Sequence, residues 1–203
     1  AYLNNANNED DIKLGTELAK QLCITIHSIK FRHSTAKYSC DENGIYKGIS
    51  SVKFLNDDAA DDLYSIKNEQ FETITDLLAR ISQLRIDSRK LDILIKLDFF
   101  EEFGSINYLL KCNELFAKYY GKKQFKKDKA LADGLDFELI RKCSRKETQK
   151  TFMELDSISF LKELLKNIPN KSTDLKTKIA YQIENLGYVD IVNKKYAGYC
   201  VAL

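Results

Sequence analysis

Gly44 to Gly104 reads GIYKGISSVKFLNDDAADDLYSIKNEQFETITDLLARISQLRIDSRKLDILIKLDFFEEFG. A hairpin signal opens it: Lys37–Ser39, the turn Asp41-Glu42-Asn43-Gly44, then Ile45–Gly48, with Asn-Gly supplying the positive φ angles of a tight turn. Ser50–Phe54 predicts a short helix, and Asn56 caps a second, Asp57–Ile66, with Asp57 and Asp58 in its first turn. Thr73 with Asp76 three residues on marks the start of Ile74–Ile81. Asp87 or Ser88 starts the next helix, carrying Leu91, Leu94, Ile95 and Leu97, with Gly104 as its stop.

Outside this stretch the pattern stays helical. Glu9–Leu22 places Ile12, Leu18, Ala19 and Leu22 on one stripe, and Cys23–Ile29 alternates as a strand does. Ser105 caps a long helix to Tyr120, ended by Gly121. Lys122–Lys129, KKQFKKDK, reads as a basic linker; Leu135–Lys142, Ser157–Lys166 and Leu175–Asn185 are further helices. Tyr188–Leu203 has the apolar, β-branched composition of a sheet cut off at its start. The predicted fold is mainly α: a helix-hairpin-helix-containing helical domain with a small N-terminal β-hairpin and a truncated β start at the C-terminus. The expected segments are 1–48 with the β-hairpin, 49–121 with two helical pairs, 122–185 with the basic linker and helices, and 186–203.

Composition bounds the chemistry. Lys+Arg 32 against Asp+Glu 30 leaves +2, so any nucleic-acid argument rests on charge placement rather than on net charge. The five cysteines lack zinc or redox spacing and are expected as reduced cytosolic thiols. There is no run of about 18 apolar residues, so no membrane partner is expected. The chain starts without Met and ends on YAGYCVAL, as a piece of something longer would. His27 and His33, six apart, suit neither a metal face nor a relay, and the glycines form no phosphate loop, so no catalytic or metal residue and no cofactor are predicted.

What remains are phosphate-binding constellations. In a helix-hairpin-helix a glycine-containing turn exposes backbone N–H groups, and the next helix start adds partial positive charge. The first pair turns at Phe54-Leu55-Asn56, without glycine, and Asp57 and Asp58 stand where phosphate would approach. Phosphate contact and a purely structural helical pair both remain open there. The second pair, Ser88–Phe103 and Ser105–Tyr120, keeps Gly104 and Ser105, with Arg85, Arg89 and Lys90 ahead of it; these five are candidate DNA contacts. Between Lys118 and Lys129 six lysines meet one acid with Tyr119, Tyr120 and Phe125 interleaved. Lys122, Lys123, Lys126 and Lys127 are therefore candidates to release counterions from a backbone. Gln149-Lys150-Thr151-Phe152-Met153 has the outline of a sliding-clamp-binding peptide, making Gln149, Phe152 and Met153 candidate clamp contacts.

The order of these motifs resembles the bacterial replicative DNA polymerase III alpha subunits, the C-family DNA polymerases. Ile45, Gly48, Ile49 and Lys53 match that family's first segment; Phe71, Asp76 and Arg80 match the second; Leu94, Ile95, Lys96, Phe100 and Gly104 match the third. Glu184, Leu186, Gly187 and Tyr188 are similar to the segment preceding its OB-fold domain. The resemblance implies a region from the end of the fingers, through the helix-hairpin-helix and clamp-binding part, to the OB border. It would track the backbone of double-stranded DNA during replication, near the clamp. The nucleotidyltransferase activity belongs to the family's palm, whose aspartates are not in this stretch, and the setting implied is cytoplasmic.

Overall fold

The computed structural model describes residues 2–6 and 8–189. The expected β start beyond Tyr188 falls almost wholly outside them. Among the described residues the chain is mainly helical, with two small three-stranded sheets. It forms two compact units from interleaved stretches: one takes Ala1–Asn68, Arg85–Phe100 and Thr173–Leu203, the other Glu69–Leu84 and Glu101–Ser172.

In the first unit, Asn8 accepts from the Asp11 amide at 2.8 Å to start α1 (Glu9–Gln21). Of the stripe expected inside on this helix, Ala19 is buried, whereas Ile12, Leu18 and Leu22 are exposed. The predicted hairpin is β2 (Ser39–Asp41) against β3 (Gly44–Tyr46), joined in parallel by β1 (Ile26–His27) in the order β1-β3-β2. Gly44 sits at φ 144°, and a Cβ there would lie 2.3 Å from the Thr25 carbonyl oxygen, so no side chain fits. α2 (Asp57–Ser65), α4 (Ser88–Lys96) and α9 (Leu175–Leu186) complete this unit around Ile49, Leu63, Ile66 and Leu94, all buried.

The helix expected to run from Ser88 to Gly104 ends at Lys96 instead. Asp98 adopts the left-handed conformation (φ 63°) and its carboxylate pairs with Lys178 of α9. That turn lets Phe99 and Phe100 pack on Phe31, with ring centres 6.0 and 5.4 Å away, while the Phe99 carbonyl accepts from the Phe31 amide at 2.9 Å. A continuous helix would forfeit both. Glu101–Phe103 then forms a separate 3₁₀ turn in the other unit.

In the second unit, α3 (Ile74–Ile81) starts in a full capping box: Thr73 accepts from the Asp76 amide at 3.4 Å, and Asp76 accepts from the Thr73 amide at 3.1 Å. α5 (Ile106–Tyr119) follows Ser105, as its cap predicts. The presumed linker is not one. Residues 122–129 hold β4 (Gln124–Lys126) and the start of α6 (Lys127–Ala132), because Phe125, 2% exposed, alternates with solvent-facing Gln124 and Lys126. After α7 (Phe137–Lys142) come β5 (Ser144–Glu147) and β6 (Thr151–Leu155), antiparallel in the order β4-β6-β5, then α8 (Ser157–Lys166). Tyr119, Phe125 and Phe160 meet with ring centres 5.4–5.7 Å apart. Phe152 and Leu155 both bury although they stand three positions apart; Glu154, at φ 55°, breaks the alternation between them.

Thr75 on α3 is 1% exposed and its hydroxyl has no partner. An unanswered buried hydroxyl costs about 1–3 kcal/mol. Thr75→Val keeps the shape and removes the polar atom, so it is expected to stabilise the protein by about 1 kcal/mol, read as a higher midpoint in urea.

Candidate nucleic-acid interface

The first helical pair is a 3₁₀ turn, Ile49–Ser51, followed by a tight turn into α2. Val52 and Leu55 are buried, 2% and 8% exposed, and pin both sides of that turn into the core. Phe54 between them is 60% exposed at φ 67°. For an L-residue this conformation costs about 1–2 kcal/mol, and burial returns little of it here.

The first turn of α4 lies against this tip. The Arg89 guanidinium carbon is 3.7 Å from the Phe54 ring centre. Lys90 Nζ is 3.5 Å from Asn56 Oδ1, which accepts from the Ala59 amide at 3.3 Å as the α2 cap. Lys53 Nζ reaches the Glu184 carbonyl at 3.3 Å. The acids that stood against phosphate binding are answered internally. Asp57 accepts from the Ser50 hydroxyl at 2.5 Å. Arg85 grips Asp62 through two nitrogens at 3.0 Å and lies 3.6 Å from Asp58. Its hydrogen bonds hold the Asp62 carboxyl below the ordinary range, and Asp62 in turn raises Arg85. Lys53, Arg89 and Lys90 form no salt bridge among the described residues, although the Lys90 charge still reaches the Asp62 carboxylate. Arg85, expected to contact DNA, has its charge matched within the fold; Arg89 and Lys90 join the first hairpin, not Gly104 and Ser105.

Gly104 and Ser105 belong to the second unit. Ser105 donates its amide to Asn170 Oδ1 at 3.0 Å, and its hydroxyl accepts from the Tyr108 amide at 3.4 Å. A Cβ on Gly104, at φ 143°, would lie 2.6 Å from Tyr108 and 2.9 Å from Asn170. The start of α5 is thus closed from within by Asn170.

The four lysines of residues 122–127 divide. Lys123 and Lys126 face solvent. Lys122 is half-buried, 5.0 Å from the Tyr119 ring centre and 5.4 Å from that of Phe125, and burial lowers its pKa. Lys127 pairs with Glu147 at 2.6 Å and lies over the Phe152 ring. Register sets Gln124, Met153 and Lys146 in one row across the sheet, and Lys146 adds an exposed cation that spacing alone did not single out.

Arg141, first, and Lys127 hold the Glu147 carboxyl down at about 2 against an ordinary 4.5. A carboxyl whose folded value is depressed contributes stability above its unfolded value and loses it as pH falls through the folded one. The contribution is expected to vanish between pH 4.5 and about 2. Acid unfolding of Glu147→Gln should therefore lack that part of the wild-type pH dependence.

Gln149–Met153 is not a free peptide. Gln149 sits in the exposed turn before β6, Phe152 is 0% exposed with its ring 5.5 Å from Phe137, and Met153 is half-buried. The aromatic that a clamp peptide would present is inside the core. His27 and His33 instead sandwich Tyr46, with ring centres 4.7 and 4.5 Å away, and His33 Nδ1 lies 2.8 Å from Asp41 Oδ2. Among the described residues no cluster suits a metal ion, and no helix is long and apolar enough to cross a membrane.

No curated protein matches this chain. A family model described as the helix-hairpin-helix motif matches residues 23–107, less than half of the chain but all of the hairpin and α4. Such motifs generally bind DNA without reading its sequence, and the matched stretch includes the turn that carries Lys53 and the helix start that carries Arg89 and Lys90.

Proposed function

We propose that this chain is a non-catalytic, sequence-independent DNA-binding segment that holds the phosphate backbone of duplex DNA through the Val52–Asn56 hairpin. The observation carrying the proposal is the placing of Arg89 and Lys90 against the Phe54–Asn56 turn, with Lys53 next to it in sequence and none of the three in a salt bridge among the described residues, within the stretch that the helix-hairpin-helix model matches. Side-chain cations stand where a glycine turn would offer bare amides. Lys123, Lys126 and Lys146 of the second unit add exposed positive charge of the same kind.

The order of motifs supports a finer reading: a non-catalytic part of a DNA polymerase III alpha subunit, acting in the cytoplasm during replication, with the chemistry done elsewhere in that polymerase. A sliding clamp would then be nearby, but burial of Phe152 weighs against docking through Gln149–Met153. Fluorescence anisotropy with a labelled duplex at two salt concentrations tests the DNA reading. Binding should weaken with salt by a log–log slope of about 0.9 per phosphate held, and absence of binding at low salt refutes it.

A further inference from the structure

We infer that the hairpin tip stacks one unpaired nucleobase on the free face of Phe54, so that the site takes single-stranded DNA as well as duplex. This rests on the DNA-binding reading above and names a second form of the ligand. Phe54 is a large aromatic, 60% exposed, in a backbone conformation that L side chains rarely adopt. Packing does not account for it, and strained exposed residues concentrate at binding sites. One face of the ring is already covered: the Arg89 guanidinium carbon lies 3.7 Å from the ring centre.

That covering decides between two uses of an aromatic. Insertion between stacked base pairs needs both faces of the ring, whereas stacking on a base outside a helix needs one. In a continuous duplex every base face is occupied by its neighbours. A single strand, an overhang or a gap offers one free. A base on the open face of Phe54 would leave its phosphates near Arg89 and Lys90, the arrangement by which single-strand binders combine a stacking platform with cations.

The test compares a labelled single strand of about 20 nucleotides with the blunt duplex of the same sequence, using the full chain. Phe54→Gly is the informative variant, because glycine adopts φ 67° freely and the fold should melt no lower than wild type. Its single-strand affinity is expected to fall about 5- to 100-fold, and by clearly more than its duplex affinity, which loses only the ring that seats Arg89. Phe54→Tyr should keep both. A single 2-aminopurine in the strand should lose fluorescence on binding wild type and not Phe54→Gly. Equal single-strand binding by wild type and Phe54→Gly overturns the stacking inference while leaving duplex binding in place. Failure of wild type to bind either DNA overturns both readings.

Discussion

Replacing Lys53, Arg89 and Lys90 together by alanine is expected to weaken duplex binding about 10- to 100-fold at low salt and to flatten the salt dependence by up to about three units of slope. Each cation that meets a phosphate releases condensed counterions, so its removal shows in the slope as well as in the affinity. Arg85→Ala supplies the contrast. Its guanidinium is more exposed than much of the hairpin, at 66%, yet Asp62 and Asp58 already neutralise it. Removing it should change the slope little, although it frees two acids beside the site. Lys123→Ala with Lys126→Ala measures the second unit's share independently. If the triple variant keeps the wild-type slope, the hairpin is not where the backbone is held.

Phe152→Ala is expected to destabilise the protein by about 3–5 kcal/mol, the range for emptying a large aromatic site in a closed core. The ring is 0% exposed, lies 5.5 Å from Phe137, and is covered by the Lys127 ammonium at 5.1 Å. Met153→Ala, one residue on and half-buried on the other side of the strand, should cost about 1 kcal/mol or less. Urea melts of the two variants separate a core strand from a docking peptide. An exposed docking aromatic would lose its partner on truncation and leave the melting midpoint alone. A wild-type midpoint for Phe152→Ala would contradict the buried placement.

The helix starts were legible because their signals are local. Asn56, Thr73 with Asp76, Ser105 and Asp87 cap where their residue types predict, each through a contact within three residues. The Asn43-Gly44 turn likewise gives the β2–β3 hairpin. What the sequence hid depends on distant partners. Nothing near Asp98 announces that Lys178 will hold it in a left-handed turn, so α4 looked longer than it is. β4 was masked by its lysines, since a three-residue strand with one buried Phe125 matches a basic linker in composition. At the candidate site, Arg89 and Lys90 stand out by charge, but Phe54 does not: the turn's missing glycine argues against a ligand there, and only the fold brings Arg89 onto Phe54. Asn170, which closes the start of α5, lies 65 residues from Ser105 and left no trace in local pattern.

The interleaving of the two units has a consequence for synthesis. Every residue from Glu69 to Leu84 and from Glu101 to Ser172 leaves the ribosome before α9 does, so the second unit can close while the chain is still growing. The hairpin-bearing unit cannot: Lys178, which holds Asp98, and the Asn185 carbonyl, which accepts from the Lys53 amide at 3.4 Å, arrive after the whole of the second unit. Its contacts span sequence separations as long as 131 and 141 residues among those described, and closing such loops is slow. The hairpin proposed to hold nucleic acid is therefore completed only after α9 has been made and locks the turn from behind.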